Sequence, residues 1–309
     1  MLTLGIHLFG RFSVECDAQT VPGFKSEKVQ QLFCYLLLHR GLPHQREKLA
    51  ALLWGDTSTS QSKTYLRKAV WQLQTTLNLL QPTQSKGLLI EHDRIQIHPH
   101  ANLWVDVDIF EQAFNDTIGI PGEQIEDAVA ENLRRAVELY RGDLLDGWYY
   151  EWCLYERERL QSAYLALLDK LMGYCEAHHD YERGLAIGTQ ILRYDQAREQ
   201  THQRIMRLYA LSGDRTAALH QFERCAAILH KELGVRPTAY TRALYEQIRI
   251  NHYDSWNWSL DGFPTLGTSA ILLTDALDYL RQLQDTLTNL QQRIQHESQV
   301  VERMLKHQR

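Results

Sequence analysis

One segment, residues 57–80, combines hydroxyl, amide and cationic side chains with a helical repeat of apolar residues. At about 100° per residue, the apolar residues fall on one side of a helix: Leu66, Ala69, Val70, Leu73 and Leu77. The first turn and the other side carry polar residues: Ser60, Gln61, Lys63, Thr64, Arg67 and Lys68. Hydroxyls and amides can bond base edges, and cations can bind phosphates. This chemistry suits a helix that enters a DNA groove, and it equally suits a solvated helix face.

The start of this helix is predicted from four consecutive hydroxyl residues: Thr57, Ser58, Thr59 and Ser60. A side-chain oxygen at a helix N-cap accepts a hydrogen bond from one of the first backbone amides, which have no partner within the helix. Trp71 falls on the polar side, where a large apolar ring usually marks a contact surface. We therefore expect the helix to begin near these hydroxyls and to contact a partner.

The neighbouring segments indicate how this helix is held. Residues 2–16 have the alternation of antiparallel strands, and residues 25–39 have the apolar spacing of a helix. Residues 45–55 predict a short second helix with three inward-facing side chains: Leu49, Leu52 and Leu53. Residues 87–99 predict two short strands joined by a turn at His92 and Asp93. Strands, three helices and a hairpin, in that order, are typical of a winged helix that reads DNA with its third helix.

Two classes of DNA contact are expected from this arrangement. The residues expected near base edges or their adjoining phosphates are Ser60, Gln61, Lys63, Thr64 and Arg67. The residues expected to contact only the DNA backbone are Lys68, Lys25, Lys28, His92 and Arg94. Residues 1–100 contain 11 Lys and Arg against 7 Asp and Glu, whereas residues 101–250 contain 17 against 24. Because phosphate binding needs a local positive patch, the net charge of −5 does not exclude DNA as a partner.

The composition predicts a cytoplasmic protein without a metal or another cofactor. The 309 residues are 44% hydrophobic and 23% charged, and no apolar run approaches the roughly 18 residues of a membrane span. The start of the chain lacks the features of a signal peptide. The five cysteines are scattered, with no CxxC pair, so we expect reduced and mostly buried thiols and no zinc site.

The second half of the chain has an internal repeat. A displacement of 34 residues places Asp180 on Asp214 and Gly184 on Ala218, and each segment is a turn between helices with apolar periodicity. This period predicts tetratricopeptide-like stacking, which leaves a concave surface for a partner. Residues 148–155 contain five aromatic rings, for which two interpretations are open: an aromatic cage, or anchors at the junction between the two domains.

The C-terminal segment predicts a coiled coil. Apolar residues repeat every seven positions from Leu273 onward. So narrow a stripe must be buried against another helix, either in a homodimer, which we prefer, or against the repeats of the same chain. The residues expected to form the dimer are Leu273, Leu280, Leu283, Leu287, Leu290, Ile294, Val301 and Met304. Residues 251–269 are rich in turn formers and predict a linker.

Several segments resemble a known family. LFGRFSV, LFCYLLLHRG, QREKLAALLWGD and YLRKAVWQLQTTL, in this order, resemble the winged helix of the Streptomyces antibiotic regulatory protein family. VDVDIFEQAF, LYRGDLLDGWYYEWCLYERERLQ and LGVRPTAYTRALYEQI resemble that family's bacterial transcriptional activator domain. The resemblance covers about residues 2–249. It departs from the family at Gln72 and Gln74, where cations are often present, so non-specific phosphate binding is expected to be weaker.

The resemblance and the residues together predict a mainly α protein with a small β component. We expect four parts: a winged helix at 1–101, a tetratricopeptide-like activator domain at 102–250, a linker at 251–269 and a coiled-coil helix at 270–309. The resemblance implies a sequence-specific transcription regulator that binds double-stranded promoter DNA and activates by contacting RNA polymerase. Two other hypotheses remain open: an interaction adaptor that has lost DNA binding, and a regulator gated by a small molecule that the sequence does not identify.

An enzymatic function is not expected. The sequence contains no GxxxxGK[ST] loop, GxGxxG turn, HExxH helix or GxSxG elbow. Asp106 and Asp108 could form a paired carboxylate site, but we interpret them as the polar face of an extended stretch before a helix at Ile109.

Overall fold

A computed structural model describes residues 4–16, 19–20, 24, 26–80 and 87–250. The chain divides into two compact units, Met1–Gln196 and Ala197–Arg309. Lys25, the linker and the predicted coiled-coil residues lie outside the described residues. Among the described residues, no helix has the length and apolar character needed to span a membrane.

The first unit begins with the strands and helices of a winged helix. Its elements are β1 (Leu4–His7), β2 (Ser13–Cys16), β3 (Gln19–Thr20), α1 (Glu27–Leu38), β4 (His44–Gln45), α2 (Arg46–Trp54), α3 (Thr59–Leu80), β5 (Leu88–Ile90) and β6 (Arg94–Ile97). β5 and β6 form the predicted hairpin, and β4 pairs with β6 to complete a three-stranded sheet in the order β4-β6-β5. The predicted winged helix is confirmed.

The rest of the first unit is mostly helical. Its elements are β7 (Leu103–Val105), α4 (Asp106–Asp116), a 3-10 turn (Gly122–Gln124), α5 (Asp127–Leu139), α6 (Glu151–Ala177) and α7 (Tyr181–Tyr194). β7 pairs in parallel with β1, so a four-stranded sheet with the order β3-β2-β1-β7 joins the first strands to residues beyond 101. The second unit contains α8 (Glu199–Leu211), α9 (Arg215–Leu233) and α10 (Ala239–Arg249).

The core of the winged helix forms where α1, α2 and α3 turn their apolar stripes inward. Leu32, Phe33 and Leu36 of α1 are fully buried, and Leu49 and Leu53 of α2 are almost so. Leu52 was expected to face inward, and this prediction is wrong because its side chain is 42% exposed. Leu49 and Leu53 are four residues apart and share a face, and Leu52 is rotated by about 80° from the centre of that face.

A buried carboxylate ties β1 to α4. α4 begins at Asp106, which is 1% exposed and accepts hydrogen bonds from the backbone N–H groups of Leu8, Phe9 and Val107 at 2.8–3.0 Å. Burial raises the pKa of this carboxyl, against the opposite effect of its three N–H donors. The interpretation of Asp106 and Asp108 as the polar face of an extended stretch before a helix at Ile109 is therefore wrong, because α4 already begins at Asp106. Asp108, half-buried, accepts a 2.7 Å hydrogen bond from Arg40 of the winged helix.

The aromatic segment 148–155 packs against the winged helix through three of its five rings. Trp148 lies 6.4 Å from Phe12, and Trp152 meets Tyr35 edge-on at 5.5 Å, measured between ring centroids. Tyr150 donates a hydrogen bond to Glu27. These contacts confirm the anchor interpretation for Trp148, Tyr150 and Trp152. Tyr149 and Tyr155 remain 79% and 68% exposed.

The predicted repeat is visible in the helix starts. Asp180 precedes α7 and Asp214 precedes α9, each at the N-cap, and the Asp214 carboxylate accepts a hydrogen bond from the Ala217 N–H at 2.9 Å. Gly184 and Ala218, the paired small residues, are both buried. The tetratricopeptide-like fold predicted for this region is confirmed.

The LGVRPT segment forms the turn between α9 and α10, and two of its residues have clear structural roles. Gly234 ends α9 with a φ of 69°, a left-handed conformation that favours glycine. Thr238 caps α10, and Glu199 at the start of α8 accepts hydrogen bonds from both the N–H and the hydroxyl of Thr238 at 2.7 and 2.9 Å. One carboxylate thus fixes the start of α10 to the start of α8.

The five cysteines are free thiols, four of them buried and Cys16 half-buried. Burial raises the pKa of the Cys225 thiol to about 12. This agrees with the reduced state predicted from their spacing.

Candidate nucleic-acid interface

The two faces of α3 follow the predicted division. The residues turned into the core are Ser62, Leu66, Ala69, Val70, Leu73 and Leu77. The predicted DNA-contacting residues of this helix are all exposed: Ser60, Gln61, Lys63, Thr64, Arg67 and Lys68. Trp71 is 65% exposed on the same helix. The structure therefore places these side chains where a partner could reach them, and their contact with DNA remains a prediction.

The hydroxyl groups at the start of α3 are already engaged with the backbone. Thr64 donates from its hydroxyl to the carbonyl of Ser60 at 3.0 Å, and Thr57 donates to the carbonyl of Trp54 at 2.9 Å. The N–H of Ser62 donates to the carbonyl of Ser58, so the helix begins within the predicted run of hydroxyls. A hydroxyl that donates in this way keeps its lone pairs, so Thr64 can still accept a hydrogen bond from a base amino group.

An open cleft of about 360 Å³ lies where α3, the first turn of α2 and the tip of the β5–β6 hairpin meet. Its walls are formed by Gln45, Arg46, Glu47, Lys63, Leu66, Arg67, His92 and Asp93. The cleft therefore brings together three residues that were predicted from two separate segments, namely Lys63 and Arg67 of α3 and His92 of the hairpin turn. Three cations, one imidazole and the two carboxylates of Glu47 and Asp93 line this concave surface, so its net positive charge favours an anion.

Arg46 is a member of this cleft that the sequence analysis missed. Its backbone N–H donates to the carbonyl of Asp93 at 2.9 Å, beside the pairing of Gln45 with Arg94 in the small sheet. These bonds hold the hairpin tip against the start of α2. The sequence showed only that Arg46 is a cation in the first turn of the second helix. Its contact with Asp93 of the hairpin could not be predicted, because the two residues are far apart in sequence.

An ion pair crosses the cleft. The ammonium of Lys63 donates to Oε1 of Glu47 at 2.7 Å, which joins α3 to the first turn of α2. The hydrogen bond and charge of Lys63 hold the pKa of the Glu47 carboxyl below its usual range. The side chains are 45% and 77% exposed, respectively. Lys63 therefore does not present an uncompensated charge at this surface.

The residues predicted to contact the DNA backbone have different surroundings. Lys28 does not line the cleft, because its ammonium donates to the carbonyl of Leu53 at 2.6 Å and lies 5.6 Å from the centre of the Tyr150 ring. Arg94 lies beside Asp93, with Nε 3.8 Å from Oδ2, and also lines a second cavity of about 460 Å³. Lys68 and His92 are exposed.

No group of three His, Cys, Asp or Glu residues within the described ranges is arranged to hold a metal ion. The polar side chains of the cleft are cationic, imidazole, amide and carboxylate groups from β4, α2, α3 and the turn of the hairpin. Such a set can bind and orient an anion.

Part of the chain is similar to a known protein family. Residues 105–249 match the family profile described as the bacterial transcriptional activator domain. Among solved structures, the chain is similar to Mycobacterium tuberculosis EmbR, which was solved in complex with a low affinity phosphopeptide. The two are 19% identical with a TM-score of 0.62, and the match covers 81% of this chain and 66% of the EmbR chain. No curated protein sequence matches the chain.

Proposed function

We propose that this chain, a regulator similar to the Streptomyces antibiotic regulatory proteins with an activator domain at residues 105–249, binds double-stranded promoter DNA in the cytoplasm. The supporting observation is the cleft at which Arg46, Lys63, Arg67 and His92 converge from α2, α3 and the hairpin. In a winged helix these three elements face the DNA, with the third helix in the major groove and the hairpin along the backbone.

Each predicted contact has a role in this proposal. Near base edges or their adjoining phosphates lie Ser60, Gln61, Lys63, Thr64 and Arg67 of α3. Against the DNA backbone lie Lys68, Lys25, Lys28, His92 and Arg94, together with Arg46. Lys28 must leave the carbonyl of Leu53 to reach a phosphate, so we expect its contribution to be smaller than that of Arg67.

We also infer that the regulator activates by contacting RNA polymerase, and one exposed face of α6 supports a protein partner. Glu151, Leu154, Tyr155 and Glu158 are spaced three and four residues apart, which places them on one face, and all four are exposed. Tyr149, just before the helix, is 79% exposed. The two carboxylates make this face unsuitable for DNA, and exposed apolar groups of this size usually mark protein contacts.

The proposed homodimer rests on the heptad spacing from Leu273 to Met304, outside the described residues. Two linked DNA-binding modules would bind paired operator half-sites more tightly than one module through effective concentration. Light scattering at several protein concentrations checks this: we expect the mass of a dimer for the full chain and of a monomer when Leu280 and Leu287 are both changed to Glu.

The DNA-binding proposal is tested by pull-down of genomic fragments with the purified full chain, followed by sequencing. We expect a small set of enriched sites that share a sequence motif, and their loss when Lys63 and Arg67 are both changed to Ala. Enrichment without a shared motif, or none above background, would contradict sequence-specific binding. A chain that binds no duplex but captures purified polymerase would instead favour the adaptor function.

A further inference from the structure

The ion pair between Glu47 and Lys63 lies on the surface that DNA would approach. Glu47 belongs to the first turn of α2 and Lys63 to the first turns of α3, so their 2.7 Å bond spans the two helices of the helix-turn-helix. Both residues line the cleft that also contains Arg46, Arg67 and His92. A phosphate that enters this cleft finds the Lys63 ammonium already bound to the Glu47 carboxylate.

We propose that Glu47 is a positioning residue that competes with DNA phosphate for the ammonium of Lys63 and thereby sets the strength and salt dependence of DNA binding. The inference rests on the proposed DNA-binding function. The carboxylate accepts from the Lys63 ammonium the hydrogen bond that a phosphate oxygen would otherwise accept. Binding then exchanges one anion for another at Lys63, and the gain is smaller than for an unpaired cation.

Arg67 provides the internal comparison. It lies one helical turn beyond Lys63 on the same exposed face and lines the same cleft. Within the described part of the chain it forms no ion pair with a carboxylate. Of these two cations, Lys63 must release the Glu47 carboxylate before it binds a DNA phosphate, whereas Arg67 need not.

The exchange is feasible because the pair is exposed. Ion pairs at a protein surface are weak, so a phosphate can displace the carboxylate. After displacement Glu47 remains near the DNA backbone and repels it. Each phosphate contact by a free cation contributes about 0.9 to the slope of log affinity against log salt concentration. Pairing with Glu47 is expected to reduce the contribution of Lys63 to that slope.

The test measures affinity of the full chain for a 30-base-pair duplex of random sequence over a series of salt concentrations. We expect Glu47→Gln to raise affinity about 2- to 5-fold at low salt and to steepen the salt slope by up to about 0.9. In a Lys63→Gln background the same change is expected to have less than half of that effect. In an Arg67→Gln background the full effect is expected to remain, because Arg67 does not depend on Glu47.

Two controls separate the possible failures. Glu182→Gln makes the same charge change at an exposed position on α7 and should bind like the wild type. Thermal unfolding of each variant checks that the fold is retained. Equal effects of Glu47→Gln in the Lys63 and Arg67 backgrounds, or no effect in the wild type, would overturn the inference while DNA binding stands. A wild-type chain that binds no duplex at any salt concentration would overturn the proposed function itself.

Discussion

Two carboxylates at the starts of helices show how surroundings determine a residue's role. Glu47 lies in the first turn of α2 at the surface and pairs with the exposed Lys63, so another anion can replace it at the ammonium. Asp106 begins α4 in the interior, where both of its oxygens accept hydrogen bonds from backbone N–H groups. Glu47 is therefore placed to affect the proposed DNA binding, whereas Asp106 stabilises the fold.

Asp106→Asn is expected to destabilise the protein. The amide keeps one acceptor oxygen and turns an NH2 group toward backbone N–H donors, which leaves at least one buried donor without an acceptor, at a cost of about 1–3 kcal/mol. Urea unfolding measures the change in the free energy of unfolding. Asp108→Asn is the matched control, because this half-exposed partner of Arg40 should cost less than about 1 kcal/mol. Equal losses in the two variants would contradict the role given to Asp106.

Arg67→Gln is expected to weaken duplex binding about tenfold at low salt and to reduce the salt slope by about 0.9, as for the loss of one phosphate contact. Fluorescence anisotropy of a labelled duplex at several salt concentrations gives both values. Arg135→Gln, a change of the same charge on α5, should leave both unchanged. A slope that stays constant while affinity falls would instead assign Arg67 to a neutral base contact.

The site residues divide into those the sequence could reveal and those it could not. Lys63, Thr64 and Arg67 were predicted to face outward because they fall opposite an apolar stripe, and this depends only on helical geometry. Arg46 and Glu47 were missed because their importance comes from neighbours in α3 and the hairpin. A charged residue in a helix's first turn gives no local sign of which distant partner it will meet.

At the scale of elements, the turn between α9 and α10 concentrates several stabilising interactions in a few residues. Gly234 supplies the left-handed end of α9, and Thr238 caps α10 while bonding to Glu199 of α8. α10 packs on this frame through Leu244 and Ile248, which share a buried cluster with Met206. The LGVRPT segment, which is part of the resemblance to the activator domain, is therefore the one in which three helices are joined.

Thr238→Ala is expected to lower the stability of this part by about 0.5–2 kcal/mol, because α10 loses its cap and Glu199 loses a donor. Hydrogen exchange of amides in α10 is the appropriate measurement, since it reports local opening. Thr238→Ser retains the hydroxyl and should exchange nearly as the wild type does. Unchanged protection of α10 in Thr238→Ala would show that packing alone holds the helix.

Elements were predictable where their signals are local. The bounds of α1, α2, α3 and the hairpin follow from apolar spacing, hydroxyl caps and a turn, all within short windows. β7 was not predicted as a strand, since it forms only by pairing in parallel with β1, about one hundred residues earlier. The structural role of Asp106 was not predicted for the same reason, since two of its three donors, Leu8 and Phe9, are about one hundred residues away in sequence.

At the scale of the whole molecule, the winged helix and the following helices share one compact unit. β7 extends the first sheet, Asp106 binds the end of β1, and Phe9 packs against Phe110 and Tyr140 at 5.1 and 4.7 Å between ring centroids. Trp152 and Tyr150 add contacts to α1. The proposed DNA-binding surface therefore belongs to a compact unit that extends well beyond residue 101.

This arrangement predicts how the chain tolerates truncation. A fragment of residues 1–101 lacks β7, Asp106 and the rings that cover Phe9, so it exposes an unpaired strand edge and a buried apolar surface. A fragment of residues 1–196 retains all of these contacts. We expect residues 1–196 to unfold in one cooperative thermal transition, and residues 1–101 to unfold broadly or at a much lower temperature.

Differential scanning calorimetry of the two fragments and the full chain makes the comparison, with limited proteolysis as an independent probe of the exposed edge. A fragment of residues 1–101 that unfolds as cooperatively as residues 1–196 would show that the winged helix is an autonomous domain. In the expected case, the reason is energetic: a small domain has little apolar surface to bury, and loss of one sheet neighbour and one aromatic cluster removes much of it. The physical boundary of the unit that carries the proposed DNA-binding surface then lies after α7, where the first compact unit ends.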